Sequence, residues 1–118
     1  MNEVILIGRI ANKLELKEVS NSKMLNFNLA VNRTSDKNKT DFIPIVVFNQ
    51  LAENIVKWQN VGNMIAVVGS IRQNEYTDKE GNKRYSMNVL ASRVQFLEPN
   101  KNKKEEVSST LTDDDTPF

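Results

Sequence analysis

The amino-acid sequence predicts an all-β protein, a small barrel that carries one short helix. Nearly all of residues 1–98 divides into apolar or alternating runs separated by polar turns, which is the pattern of strands. Only residues 49–60 place their apolar side chains at helical spacing. Gly8 and Gly69 fall inside two of the predicted strands, where glycine is typical of the bends and bulges that close a barrel.

The predicted strands follow one another closely along the chain. Residues 14–19 form either a second strand or a continuation of the first. Residues 24–32 alternate most clearly, with an apolar face that includes Leu25 and Phe27 and a polar face that includes Asn26 and Asn28. The predicted ranges are residues 2–10, 14–19, 24–32, 42–48, 64–72 and 85–97, and residues 76–85 bracket a loop with a turn at Gly81-Asn82.

The run from Phe42 to Phe48 contains no polar side chain. Because successive side chains of a strand point to opposite faces, Phe42 and Phe48 share one face with Pro44. The pattern alone leaves that face as core, as a subunit interface or as a surface on which a flat ligand stacks. Pro44 removes one backbone donor, so the strand is expected to be an edge or to be bulged there. The opposite face is β-branched and suits a barrel interior: Ile43, Ile45 and Val47.

Residues 49–60 read as the single helix. Leu51 and Ile55 recur at helical spacing, Glu53 and Lys57 lie four residues apart in the supportive order, and Gly62 follows the end. One short helix between the third and fourth long strands of an all-β chain favours the five-stranded Greek-key barrel called the OB-fold. The same order of elements is also compatible with another small barrel.

Composition excludes several classes of chemistry. The chain has 118 residues, which is enough for one domain with a core. It contains no cysteine and no histidine, so disulfides, Cys/His zinc sites and histidine-based catalysis are excluded. The apolar run from Val4 to Ile7 is too short for a signal peptide or a membrane span. Residues 1–98 carry a net charge of +3 and residues 99–118 a net charge of −2.

The composition shifts at Pro99, which divides the chain into three parts. Residues 1–98 form the folded domain, residues 99–112 are a charged and polar linker, and residues 113–118 are an acidic tip. Phe118 would carry a free carboxylate behind three acidic residues, a combination that suits an apolar pocket with a basic rim on a partner protein. The tip comprises Asp113, Asp114, Asp115, Thr116, Pro117 and Phe118.

The chain resembles the bacterial and phage single-stranded DNA-binding proteins. The resemblance covers nearly the whole sequence in the family's order, and the acidic tip that ends in Pro-Phe is its most specific feature. The matching segments are residues 2–8, 28–33, 41–48, 51–54, 76–85 and 113–118.

This resemblance implies an OB-fold, a homotetramer and sequence-tolerant binding of single-stranded DNA in replication, recombination and repair. It implies a cytoplasmic, nucleoid-associated protein that is not an enzyme, has no cofactor or metal, and recruits partner proteins through its tip. Phe42 and Phe48 match the family's base-stacking positions and Tyr76 matches a third. Tyr85 is either a fourth platform or a residue that packs across the hairpin.

Cations near the aromatic face are the candidates for phosphate contacts. They are Arg9, Arg33, Lys37, Lys39, Arg72, Lys79, Lys83 and Arg84. The chain also departs from the family pattern. Thr34-Ser35 stand where many relatives carry an aromatic residue, and Asn74 and Glu75 stand where relatives often carry basic ones. We therefore expect weaker or more salt-sensitive DNA binding than in relatives that have all of these groups.

Three other functions remain open at this point. A small metal-dependent nuclease would need its dense acidic cluster, Asp113 to Asp115, to hold metal geometry from a tail. A protein-interaction module could use an OB barrel without such a tip. An RNA-binding OB domain is also possible, because stacking platforms discriminate weakly between RNA and DNA.

Overall fold

A computed structural model describes residues 1–98 of the chain, which form six strands and one helix. The strands predicted from the sequence are all present, and the helix follows the Phe42–Phe48 strand as expected. Leu16–Val19 is a strand in its own right, so the helix lies between the fourth and fifth strands. The elements are β1 (Val4–Ile10), β2 (Leu16–Val19), β3 (Ser22–Asn32), β4 (Thr40–Phe48), α1 (Asn49–Trp58), β5 (Met64–Thr77) and β6 (Lys83–Phe96).

The six strands form one sheet that closes on itself. Their order is β1-β5-β6-β4-β3-β2, and β1 also pairs with β3 at Arg9 and Ile10. All pairs are antiparallel except β4 with β6, which run parallel. This closed arrangement, with the helix after β4, is the predicted OB-type barrel. The interior is filled by apolar side chains from every strand except β2, among them Leu25, Phe27, Leu29, Ile45, Val47, Ile65 and Val67.

Strand β4 behaves as its alternating pattern predicts. Ile45 and Val47 are buried in the barrel, whereas Phe42 and Phe48 remain exposed. The register with β3 is continuous from Met24 opposite Phe48 to Asn32 opposite Thr40. Each outward side chain of β4 therefore lies beside an outward side chain of β3, which makes the two strands one continuous surface.

The backbone around Pro44 explains how a proline fits inside this strand. Asn28, which lies opposite Pro44, uses its backbone N–H to donate to Asn12 Oδ1 and its C=O to accept from the Ala11 N–H. Both backbone groups of Asn28 thus point away from β4, so the Asn28–Pro44 pair is a non-hydrogen-bonded one. The Pro44 nitrogen must then face β6, where pairing begins only at Ile45. The missing donor costs no bond to β3, and the strand needs no bulge on that side.

Helix α1 packs against the barrel through its apolar face. Ala52 and Ile55 are buried, and Lys57 lies in the last turn, where a positive charge interacts favourably with the helix dipole. Lys57 Nζ also lies 5.1 Å from the centre of the Trp58 ring, a cation–π contact. Within residues 1–98, no helix is long and apolar enough to cross a membrane.

The hairpin of β5 and β6 extends further than the sequence pattern indicates. The two strands pair without interruption from Ser70–Leu90 out to Thr77–Lys83. The connecting turn is held by Asp78, whose carboxylate accepts hydrogen bonds from the backbone N–H groups of Glu80 and Asn82. The hairpin is therefore an ordered, two-stranded arm, not a loop.

We expect the substitution Gly69→Ala to destabilise the barrel strongly. Gly69 lies at the register shift between β5 and β6, and a Cβ there would press directly against the backbone carbonyl of Leu90. Because backbone atoms cannot move aside as a flexible side chain can, the free energy of unfolding should fall by roughly 1–3 kcal/mol. Urea denaturation measures this change. Gly81→Ala, in an open turn where only its positive φ opposes a side chain, is a milder comparison.

Candidate nucleic-acid interface

The exposed surface formed by β3, β4 and the β5–β6 arm carries three of the four predicted aromatic residues. We call this surface the outer sheet face; it is the side of the sheet on which Phe42 and Phe48 lie. Phe42 is 61% exposed and Phe48 is 41% exposed, high values for phenylalanine in a folded domain. Neither side chain belongs to the core, so the first of the three alternatives for this face is wrong.

The two tyrosines of the arm point to opposite sides. Tyr76 pairs with Arg84, whereas Tyr85 pairs with Glu75, and residues directly opposite each other share a face. The register from β4 through β6 to β5 connects Val46 with Leu90, and alternation from there places Tyr76 on the outer sheet face. Both tyrosines are exposed, at 53% and 59%. Tyr76 therefore lies on the same face as Phe42 and Phe48, whereas Tyr85 lies on the other side of the arm.

Arg33, one of the predicted phosphate-binding residues, already holds a carboxylate. Its guanidinium donates to both oxygens of Asp41 at 2.9–3.1 Å. The hydrogen bonds from Arg33 lower the pKa of the Asp41 carboxyl, and Asp41 raises the pKa of Arg33 in return. A phosphate ligand would have to displace Asp41 or share Arg33 with it.

Two of the three predicted cations at the end of the arm are paired as well. Arg84 Nε donates to Asp78 Oδ2 at 2.9 Å, and Lys83 Nζ lies 3.4 Å from Glu75 Oε1. The Asp78 pKa is lowered, first by the bond from Arg84 and then by the backbone N–H of Asn82. These contacts organise the arm, and they reduce the positive charge that it presents.

Arg9 is the fourth of the predicted phosphate-binding cations that already has an acidic partner. Register places it beside Ala30, which in turn lies beside Phe42, so it borders the outer sheet face. Its Nη1 donates to the Gly62 carbonyl at 2.9 Å and to Glu98 Oε1 at 3.1 Å. Arg9 thus helps to hold the segment after β6 near the segment before β5.

The other four predicted cations are exposed and form no ion pair within residues 1–98. Lys37 and Lys39 lie on the loop between β3 and β4, Lys79 lies at the tip of the arm, and Arg72 lies on β5 opposite Asn88. These side chains can meet phosphates without breaking an existing contact. Within the described part of the chain, they are the readily available positive charge of the predicted interface.

A polar cleft opens on the outer sheet face between the two phenylalanines. Its volume is about 430 Å³, and its lining includes Asn12, Asn26, Asn28 and Asn88 together with Pro44. The sequence pattern indicated a wet side for Asn26 and Asn28 on β3. It gave no sign that Asn12 and Asn88 would join them, because their approach depends on the fold.

The acidic residues of the described region are not grouped into a metal site. No group of three or more Asp or Glu residues in residues 1–98 is placed to hold a metal ion. The predicted linker, residues 99–112, and the predicted partner-binding tip, residues 113–118, lie outside the described residues.

Comparison with known proteins gives consistent matches across the folded region. Residues 1–97 match the model of the single-strand binding protein family. The chain is 36% identical over 107 residues to single-stranded DNA-binding protein 1 of Clostridium acetobutylicum, which covers 86% of this chain and 97% of that protein. It is 41% identical over 103 residues to single-stranded DNA-binding protein 2 of the same organism, covering 83% and 77%. Single-stranded DNA-binding protein 2 of Staphylococcus aureus strain COL is 36% identical over 110 residues, covering 89% and 79%.

Proposed function

Because this chain belongs to the single-strand binding protein family, whose members are non-enzymatic, we propose that it binds single-stranded DNA with little regard to sequence. The observation that carries the proposal is the placement of three exposed aromatic side chains, Phe42, Phe48 and Tyr76, on one sheet face. Aromatic rings stack on the π-face that every base has, so such platforms bind bases without reading their identity. In a duplex the bases are already stacked on one another and paired, so they are not available to stack on these aromatic side chains.

The DNA phosphates would bind first to the cations that form no ion pair within residues 1–98. Lys37, Lys39, Arg72 and Lys79 need no rearrangement, whereas the four paired cations must exchange a carboxylate for a phosphate. That exchange brings little net gain in charge neutralisation, because one anion replaces another. We therefore infer that stacking supplies more of the binding free energy here than the number of basic residues suggests.

Titration with oligo-dT, a matched duplex and oligo-rU over a range of salt concentrations tests the proposal. We expect preference for the single strands and a log–log salt slope of about −3, which is about −0.7 for each of four phosphate contacts. A slope near −6 would show that the paired cations also bind phosphate. Equal affinity for single strand and duplex would refute the proposal, and a strong preference for oligo-rU would make RNA the ligand.

We also propose that the protein assembles into a homotetramer. Strand β1 pairs with β5 along one edge, but its other edge meets β3 only at Arg9 and Ile10, so residues 4–8 keep an unpaired edge. Ile5 and Ile7 are 66% and 55% exposed on this strand. An open edge with exposed isoleucines favours pairing with a second copy of the strand, which would supply one of the two contacts that a homotetramer needs.

In the cell, the proposed role is to coat exposed strands in replication, recombination and repair, in the cytoplasm where bacterial DNA lies. The acidic tip, residues 113–118, would recruit the proteins that act on those strands. Both parts of this proposal follow from family membership and from the sequence of the tip.

Deleting residues 113–118 separates the two activities. We expect oligo-dT affinity to stay the same or to rise, because three negative charges that compete with DNA are lost. Capture of repair and replication proteins from an extract of the source cells should disappear. The control replaces only Phe118 with alanine and keeps the charges. A clear loss of DNA affinity on deletion would contradict this division of labour.

A further inference from the structure

The asparagine side chains of the polar cleft are the remaining unassigned feature of the outer sheet face. Asn26 and Asn28 project from β3 and Asn88 from β6, on both sides of Pro44. Within residues 1–98, none of these three side-chain amides makes a hydrogen bond to another protein group. A cluster of accessible amides without a protein partner on one small area is suited to a ligand that has several donors and acceptors of its own.

Pro44 keeps the cleft open. Its nitrogen faces β6 and cannot donate, and the β4–β6 ladder starts only at Ile45 and Val89. One backbone hydrogen bond to β6, the one that a Pro44 N–H would donate, is therefore missing beside the Asn88 side chain that lines the cleft. On the opposite wall, Asn12 is fixed, because its Oδ1 accepts from the Asn28 backbone N–H at 2.6 Å. Its Nδ2 is left with two protons to donate.

The cleft lies where bases would pass. Phe42 and Phe48 are separated by six positions on one strand, a distance of roughly 20 Å at the usual rise per residue. This span is several times the rise of about 3.4 Å between stacked bases. A strand that stacks on both phenylalanines therefore has bases between them, directly over the asparagines.

We propose that Asn26, Asn28 and Asn88 bind the hydrogen-bonding edges of the unpaired nucleobases held between Phe42 and Phe48. The inference rests on the proposed function and adds a second kind of contact to it. An amide offers one acceptor and two donors and can turn over, so it can match the mixed donors and acceptors on any base edge. The contact is thus tolerant of sequence. It also favours single strands, because in a duplex these edges are occupied by the opposite strand.

Uncharged groups distinguish this contact from the phosphate contacts. Hydrogen bonds from amides release no condensed counterions, so their contribution to affinity should be nearly independent of salt. The interface would then keep part of its affinity at salt concentrations that remove most of the phosphate contribution. This property compensates for the small number of free cations on the outer sheet face.

The test compares two oligonucleotides and two variants at low and high salt. One oligonucleotide is oligo-dT; the other is built from N3-methylthymidine, whose ring still stacks but whose pairing edge is blocked. The variants are Asn28→Ala with Asn88→Ala, and the control Asn54→Ala on α1, whose amide accepts from Gln50 and lies away from the sheet face. We expect the double variant to bind oligo-dT about 10- to 50-fold more weakly at both salt concentrations, since each lost hydrogen bond contributes about 3- to 10-fold.

Blocking the pairing edge should weaken binding to the wild-type protein and to Asn54→Ala, but should have little further effect on the double variant. That non-additivity would support contact between these amides and base edges. If wild type binds oligo-dT and the double variant binds it equally well, or if both oligonucleotides bind alike to wild type, the inference is wrong and the proposed function stands. If the wild-type protein does not bind oligo-dT at all, both the inference and the proposed function are wrong. Circular dichroism melting of each variant confirms that the barrel is folded.

Discussion

Replacing Phe42 with alanine is expected to weaken binding of oligo-dT by about 5- to 150-fold, because a stacked base contributes about 1–3 kcal/mol. Phe42 is the most exposed phenylalanine described, so its removal leaves no cavity in the core and the fold should be kept. The loss should appear at every salt concentration with an unchanged slope, since no phosphate contact is removed. Fluorescence anisotropy with a labelled oligonucleotide measures both quantities.

Tyr85 provides the matched control for this experiment. It is exposed to almost the same extent as Phe42, 59% against 61%, but it lies on the other side of the β5–β6 arm. We expect Tyr85→Ala to lose clearly less affinity than Phe42→Ala, and Tyr76→Ala to resemble Phe42→Ala. If Tyr85→Ala had the larger effect, DNA would have to pass around the opposite side of the arm, and the proposed path would be wrong.

Replacing Ile5 and Ile7 together with lysine should convert the proposed homotetramer into smaller species. Lysines on an edge strand oppose pairing, and in a two-fold contact between β1 strands they would bring like charges together. Both positions are exposed within a single chain, so the barrel itself should remain folded. Light scattering coupled to gel filtration measures the mass, which should fall from four copies for the wild type toward two, because a second interface of the proposed tetramer is left intact.

Val19→Glu is the appropriate control for this variant. Val19 is 44% exposed on β2, the other terminal strand of the sheet, which has only four residues and already carries Lys17 and Glu18. Charges on a short strand disfavour pairing, so a further charge there should leave the mass unchanged. A wild-type protein that is monomeric at micromolar concentration, or an Ile5/Ile7 variant of unchanged mass, would contradict the proposed assembly.

Much of the barrel could be predicted because apolar and polar side chains alternate along its strands. Ile45 and Val47 must be buried once Phe42–Phe48 is read as a strand, and the structure confirms it. The full length of the β5–β6 arm could not be predicted in this way, because residues 73–77 show no alternation of apolar and polar side chains. Its order comes from pairing across the strands and from the Asp78 turn, which are contacts between residues that the pattern treats as a loop.

The candidate site was harder to predict from the sequence, for a related reason. A sequence shows which residues carry charge, but not which charges meet. Arg33 and Asp41 are eight positions apart, whereas Arg9 and Glu98 are 89 apart, and both pairs form. The side on which Tyr85 lies depends in the same way on the register of the hairpin. Asn88 could not be assigned to the cleft without knowing that β4 and β6 run side by side.

The order of strands in the sheet also has a kinetic consequence. β1 leaves the ribosome before the other five described strands, but its main partner is β5, and the two are joined through pairs such as Val4 with Gly69. At a synthesis rate of about 5–20 residues per second, β1 waits roughly 3–13 s before its partner exists. During that interval its isoleucines and the edge that will pair with β5 are unprotected. Closure of the barrel, which joins distant parts of the chain, should then be the slow step of folding, in the range of milliseconds to seconds.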